Sequence, residues 1–349
     1  MNSAPIYPLV PRRRRLADAL NRPLRDLRIS VTDRCNFRCP YCMPRERFHE
    51  QYRFLKSAER LSFDEILRLA RLFLELGVLK LRITGGEPLL RAGLADLIGD
   101  LSCLPGVEDM ALTTNGVLLA QQAAALSASG LKRVTVSLDS LDPAVFAAMS
   151  GGFGRIEDVV DGIAAAQRCG LSPIKLNAVI ERGLNDHTVL ELVERFRGTG
   201  VIVRFIEYMD VGNRNEWQRS RVVPSQELLE LIDARWHLTA LEPAYAGEVA
   251  RRYAFADGGG EIGFVASVTQ PFCGDCTRAR LSSDGKFYTC LFAAEGTDLR
   301  APLRGGASDA ELLELMRAIW ERRADRYSEL REEMRARRIQ HVEMNHVGG

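Results

Sequence analysis

The run Cys35-Asn36-Phe37-Arg38-Cys39-Pro40-Tyr41-Cys42 decides how this chain is read. Three thiols fall within eight residues in the pattern C-x3-C-x2-C, soon after a strand-like run at 27–32. A thiolate is a soft, anionic ligand suited to iron–sulfur clusters or to zinc. Three such ligands on a short loop can hold three corners of a cubane, leaving the fourth iron open to a small molecule. An electron-transfer cluster normally takes four cysteines. A zinc site completed from elsewhere, for instance by His49, uses the same thiols, so the stretch alone leaves both metals open.

Outward from the cysteines the chain alternates. A capping box, Ser62 with Glu65, opens a helix whose apolar face is Ile66, Leu69, Ala70, Phe73, Leu74 and Leu76, and Gly77 stops it. Strand-like runs follow at 79–84, 110–114, 134–138, 174–180 and 201–207, with helical patterns near 93–102, 118–128, 155–168 and 186–197. Strand–helix alternation of this kind predicts an α/β fold with a parallel sheet and helices outside. Such sheets carry their active residues at the C-terminal ends of strands. Those ends read Thr84-Gly85-Gly86-Glu87-Pro88, Thr113-Thr114-Asn115-Gly116 and Ser137-Leu138-Asp139. Strand five carries Lys175 and Asn177, and strand six runs from Arg204 to Met209. Each could be turn chemistry alone; their joint occurrence points to a common site.

From about residue 215 the rhythm breaks. After a helix near 225–234 and short strands at 251–255 and 261–264, a second thiol set appears. It is Cys273-Gly274-Asp275-Cys276-Thr277-Arg278-Ala279-Arg280, then Cys290 after thirteen intervening residues. Ser283-Asp284-Gly285-Lys286 reads as a hairpin turn that swings Cys290 back to the pair. A zinc knuckle shares this spacing, yet two three-thiol sets in one chain favour paired open-corner clusters. Arg278 and Arg280 lie two apart in a strand and so face one side. Guanidinium forks match phosphate oxygens. Arg28, Arg82, Lys175 and Arg204 add charges to strands that would otherwise be hydrophobic.

Bulk properties set limits. The chain has 349 residues, 46% of them apolar, and a net charge of +1, so it has no basic field for nucleic acid. No apolar run reaches the roughly 18 residues of a membrane span, and no apolar segment follows the arginine run at 12–15. Eight cysteines in such a chain argue for metal in a reducing compartment, with Cys103 and Cys169 ordinary semi-buried residues. Ser308 with Glu311 opens a further helix, and residues 321–338 mix charges as an exposed helix or a partner surface does.

The octet, with Tyr41 before its third cysteine, and the Gly-Gly-Glu-Pro roughly forty residues later resemble the radical S-adenosylmethionine (SAM) superfamily. With the C-terminal C-x2-C-x13-C, the Thr-Arg-Ala-Arg after its first pair and the terminal Gly348-Gly349, the chain is similar to the GTP 3',8-cyclases of molybdenum cofactor biosynthesis. The resemblance runs from about residue 24 to the end. It implies an incomplete (β/α)6 radical SAM barrel over 23–215, after a disordered arm at 1–22. A C-terminal extension carrying a second Fe-S cluster and substrate contacts would follow over 216–340, with a tail at 341–349. It implies one 4Fe-4S cluster on Cys35, Cys39 and Cys42 that binds SAM, and another on Cys273, Cys276 and Cys290 that holds guanine. Gly86 would meet the methionine amine, Tyr41 the adenine through its backbone, and Ser137 and Met209 the adenosine. Arg28, Arg82, Thr113, Lys175, Arg204, Arg278 and Arg280 would hold GTP, and Gly348 and Gly349 would reach into the site. A SAM-derived radical would take hydrogen from ribose C3' and the carbon radical would add to guanine C8. A cytoplasmic homodimer is implied, with a flavodoxin-type reductant and hand-off to the cyclic pyranopterin monophosphate synthase. The alternatives are a radical SAM enzyme that modifies a peptide, and a non-catalytic zinc or iron–sulfur module.

Overall fold

The computed structural model describes residues 16–213, 215–245, 247–337 and 339–348. The strands are β1 (Asp26–Ser30), β2 (Lys80–Thr84), β3 (Asp109–Thr114), β4 (Arg133–Ser137), β5 (Lys175–Ile180) and β6 (Ile202–Glu207). They continue as β7 (Leu238–Leu241), β8 (Arg251–Phe255), β9 (Glu261–Val265), β10 (Arg278–Leu281), β11 (Lys286–Tyr288) and β12 (Thr297–Asp298). The helices between the first six strands are α1 (Phe63–Glu75), α2 (Leu94–Ser102), α3 (Leu119–Ala128), α4 (Pro143–Ser150), α5 (Ile156–Arg168) and α6 (Val189–Phe196). Later come α7 (Ser225–Asp233), α8 (Arg300–Arg304), α9 (Asp309–Glu321), α10 (Arg331–Ala336) and α11 (Met344–Val347).

Strands β1 to β6 are parallel and adjacent in chain order, the parallel sheet expected from the alternation and the open (β/α)6 barrel implied by the resemblance. The sheet does not end there. β10 pairs with β1 and β9 pairs with β6, both parallel, so the C-terminal stretch extends the barrel at both edges. The antiparallel strands β11–β12 and β8–β7 finish the two ends.

Alternation along the strands sorts the chemistry. Leu27, Ile29, Leu81, Ile83, Leu112, Val134, Val136, Leu176, Val203 and Phe205 are buried in one core with the helices. The opposite face holds Arg28, Arg82, Thr113, Thr135, Asn177 and Arg204, and it lines the barrel interior. Register aligns these side chains: Arg280 faces Arg28, Arg28 faces Arg82, and Asn177 faces Arg204.

Helices start where the sequence says. Ser62 accepts from Glu65 N and Ser308 from Glu311 N, each with the reciprocal bond of a capping box. Three expectations need correction. Residues 16–22, read as part of a disordered arm, are packed: Leu16, Asp18 and Arg22 are buried. The charged stretch 321–338, read as exposed, buries Arg323 and Arg331, because each finds acceptors inside. Cys103 is exposed rather than semi-buried, sitting at the C-cap of α2. The arginine run at 12–15 lies outside the described residues. Among the described residues no helix is long and apolar enough to cross a membrane.

Candidate active site

The first cysteine loop follows β1 and is braced by the end of β2. Gly86 N donates to Thr32 O and Glu87 N to Arg34 O, both at 2.7 Å. A Cβ on Gly86 would lie 2.2 Å from Arg34 O, and one on Gly85 2.6 Å from Thr32 O. The paired glycines therefore let the backbone of 85–86 press against the lead-in to the cysteines. Gly86 also lines the smaller cavity, so this packing adds to the expected contact with the methionine amine. Beside it, Glu87 is buried at the same strand end. Its carboxylate takes Leu89 N, Asn115 N and the Thr114 hydroxyl, tying the ends of β2 and β3 together.

Tyr41 donates through its phenol to Asp139 Oδ2 at 3.0 Å, and Asp139 Oδ1 accepts from Val179 N at 2.8 Å. The cysteine loop is thereby pinned to the ends of β4 and β5. Burial pushes the Asp139 carboxyl up to about 6. Burial, then the charge of Glu87, pushes the Cys35 thiol up to about 12, and burial raises Cys39 and Cys42 as well. Thiols so placed ionise when a nearby cation stabilises the thiolate.

The second set lies at the mouth of the strand that extends the barrel beside β1. Cys273–Asp275 forms a 3-10 turn leading into β10, and the hairpin at Gly285 (φ +84°) returns the chain through β11 to Cys290. The Arg278 guanidinium donates to Cys276 Sγ at 3.2 and 3.3 Å. Burial alone would push that thiol up; Arg278 and Arg323 outweigh it and bring it down to about 6.

Both sets face one chamber. A cavity of about 260 Å³ is lined by Cys273, Cys276 and Cys290 together with Arg28, Arg82, Arg204, Arg278, Arg280 and Met209. A second, of about 120 Å³, is lined by Cys35, Cys39, Cys42 and Gly86. Tyr41, Thr113, Ser137, Asp139 and Met344 line both, so the two are neighbours through a shared wall. Arg82 donates to the Thr113 and Thr135 hydroxyls at 3.0 and 3.1 Å. Lys175 stands outside this lining. It lies one inward position below Asn177, and burial followed by Arg204, Arg133 and Arg82 lowers its amine to about 7. Of the tail, Gly348 packs against Thr84 and its carbonyl accepts from Arg280; Gly349 lies outside the described residues.

Sequence reasoning missed several neighbours. Asn115 reaches Cys35 Sγ at 3.9 Å and Asn36 Oδ1 at 2.7 Å. Asn345 Nδ2 donates to Asp33 O at 3.1 Å, and Met344 sits between the two cavities. Arg22 and Arg323 line the chamber beside the second thiols. Asn115 closes Thr-Thr-Asn-Gly at a strand end, which was the available signal. The others carry no local pattern, because they come together only in the fold.

The donor sets fit iron–sulfur clusters better than the completed zinc site considered from sequence. All six cysteines are free and sit as two trios on cavity walls. His49, the candidate fourth ligand, takes Gln51 N on its Nδ1 at an exposed position and lines neither cavity. Among the described residues no three His, Cys, Asp or Glu side chains form a ready single-ion site.

Residues 29–196 match the profile of the Radical SAM superfamily, and 201–329 that of Molybdenum Cofactor Synthesis C. Among solved structures, Streptococcus suis SuiB bound to S-adenosylmethionine superposes with a TM-score of 0.57 at 17% identity, covering 77% of this chain and 60% of that one. The shared architecture and the profile define the class: this is a radical SAM enzyme that binds SAM and iron–sulfur. Sequence relatives narrow the class. The GTP 3',8-cyclase of Xanthomonas axonopodis pv. citri is 54% identical over 334 residues, 96% of this chain and 99% of the relative. That of Acidothermus cellulolyticus is 55% identical over 90% of this chain and 88% of the relative, and that of Staphylococcus aureus 46% over 96% and 99%. At these identities and coverages the chain belongs to the GTP 3',8-cyclase family.

Proposed function

We propose that the protein converts GTP to 3',8-cyclo-7,8-dihydro-GTP, the first step of molybdenum cofactor biosynthesis. One 4Fe-4S cluster would sit on Cys35, Cys39 and Cys42 with SAM, and a second on Cys273, Cys276 and Cys290. The observation that carries this reading is the chamber: two thiol trios on adjoining cavities, with Arg28, Arg82, Arg204, Arg278 and Arg280 on the wall of the larger. When bound, the first cluster and SAM supply the electron and the carbon-centred radical that begin the reaction.

The chain's own residues position and enclose. Arg28, Arg82 and Arg280 lie in adjacent register across β2, β1 and β10, and all three are held below the ordinary arginine range, first by burial. So much buried positive charge favours a polyanion such as a triphosphate. Thr113 and Ser137 line both cavities, so they stand where nucleotide and SAM would approach one another. Met209 and Val265 on the larger cavity give an apolar wall that limits water near a reactive carbon. Gly86 lines the SAM side and Tyr41 is fixed by Asp139. Holding the reacting atoms in one geometry is the protein's main contribution.

Family resemblance supports the remaining parts of the proposal: a cytoplasmic homodimer, a flavodoxin-type electron donor and transfer of product to the cyclic pyranopterin monophosphate synthase. A peptide-modifying radical SAM enzyme has no use for five converging arginines.

The test is anaerobic reconstitution with iron and sulfide, then incubation with GTP, SAM and reductant. About eight irons per chain and release of 5'-deoxyadenosine coupled to loss of GTP are expected. Arg278→Ala or Arg280→Ala should weaken GTP binding while uncoupled SAM cleavage persists. SAM cleavage indifferent to GTP in the native chain, or bound zinc in place of iron, overturns the proposal.

A further inference from the structure

Residues 16–22 precede the barrel and lie outside both matched profiles, which span 29–196 and 201–329. They nonetheless bury two charges. The side chains of Asp18 and Arg22 are 0% and 2% exposed, and Arg323, which follows α9, is 1% exposed. Asp18 Oδ2 accepts from Arg22 Nε at 2.6 Å and from Arg323 Nη1 at 3.0 Å, while Oδ1 takes Leu20 N and Arg22 N. One carboxylate thus fixes two guanidiniums.

Both guanidiniums point their remaining donors at the second thiol loop. Arg22 Nη1 donates to Cys273 O at 2.7 Å and to Asp325 O at 2.8 Å. Arg323 donates to Cys276 O at 2.7 Å and to Thr289 O, the residue before Cys290, at 3.1 Å. The backbone at or beside all three thiols is therefore held by a single buried clamp. One donor is left over. Arg22 Nη2 is buried without a hydrogen-bond partner among the described residues, and Arg22 lines the same cavity as Cys273, Cys276 and Cys290. A buried N–H of a charged group without an acceptor is costly. Sulfide and thiolate sulfurs are acceptors that a cluster on those thiols provides.

We propose that Arg22, positioned by Asp18 and Arg323, donates a hydrogen bond to the second cluster and sets its retention and reduction potential. This rests on the reading that Cys273, Cys276 and Cys290 hold that cluster. Donors to cluster sulfur stabilise the more negative, reduced state and so raise the potential. The clamp joins the N-terminal segment to Arg323 beyond α9, and its hydrogen bonds to the thiol-bearing backbone fix Arg22 beside the cluster.

The experiment isolates the second cluster in the full chain by replacing Cys35, Cys39 and Cys42 with Ser, then adds Arg22→Met or Arg22→Lys. Iron and sulfide are counted, and the midpoint potential is read by a redox titration followed by electron paramagnetic resonance. Arg22→Met should shift the potential to more negative values and lower the iron retained after desalting; Arg22→Lys should shift it less. In the chain with all cysteines intact, the far-ultraviolet circular dichroism and the iron held on Cys35, Cys39 and Cys42 should be unchanged in Arg22→Met, which checks that the barrel is folded. An unshifted potential with full iron in Arg22→Met overturns the inference. Should that variant fail to fold, an unshifted potential in Arg22→Lys does so. If the Cys35, Cys39, Cys42 background itself retains no iron, it is the two-cluster reading that fails, and the clamp falls with it.

Discussion

Gly86 shows how a single residue joins scaffold and site. Its α-carbon faces Arg34 O so closely that a methyl group would sit at 2.2 Å, against backbone that cannot swing away. Gly86→Ala should therefore displace the lead-in to Cys35 and cost about 1–3 kcal/mol in stability. If the proposed two clusters form, the reconstituted variant should hold about four fewer irons than the native chain, with the second cluster spared. Full iron content in that variant would contradict this packing argument. Lys175 gives a second test at the same scale. Burial, then the arginines around it, lower its amine to about 7, against about 10.4 in an unfolded chain. The unfolded chain binds the extra proton between those values, so stability rises with pH through that window and the penalty is full below about 7. If Lys175, one inward position below Asn177, reaches the nucleotide as the resemblance implies, a bound triphosphate reverses the balance by stabilising the ammonium. At pH 8 to 9, GTP binding should take up a proton, seen as a dependence of calorimetric heat on buffer ionisation enthalpy. Lys175→Met should abolish that dependence.

Among the elements, those with a local physical cause were legible in the sequence. Ser62 with Glu65 and Ser308 with Glu311 each marked a helix start, and both boxes form. The helix α4 was not read, although Asp142 caps it and Pro143 occupies its first turn, a usual start signal. It is only eight residues long, with little periodicity to find. The partners of β9 and β10 were also hidden, since a short strand does not announce which edge it joins. The tail is the clearest case. Its glycines were read as reaching into the site, but nothing local says what holds them. In the fold, His346 Nε2 meets Asp284 Oδ1 at 2.9 Å, and Gly348 lies beyond it against Thr84 with its carbonyl on Arg280. His346→Ala should release α11 from the hairpin and raise the KM for GTP about tenfold, the scale of one hydrogen bond to a charged group, roughly 1.5 kcal/mol. Thermal stability should barely change, and an unaltered KM would remove the latch from the account.

On the scale of the whole molecule, stability and chemistry are carried by different parts. One continuous core joins the outward faces of β1 to β6 to the helices around them and reaches α9 through Leu312, Met316 and Trp320. The cysteine loops stand at its edge, the first anchored to it by Phe37, and are held by hydrogen bonds such as Cys42 N to Cys39 O and Cys276 N to Cys273 O. The motif cysteines and the strand-borne arginines were visible in sequence because their types are out of place in a loop or a strand. Arg22, Arg323 and Asn345 were not, because their roles arise from contacts across most of the chain's length. The same division predicts what iron removal does. A metal-free chain should keep its far-ultraviolet circular dichroism and a cooperative melt, since the core contains no cluster ligand other than the flanking Cys35 and Cys39. Limited proteolysis should then cut first within 45–53 and 269–275, which are mostly exposed and flank the two cysteine sets, and reconstitution should protect both segments. If the metal-free chain instead loses its secondary structure altogether, the clusters are part of the folding core and this separation of scaffold from site is wrong.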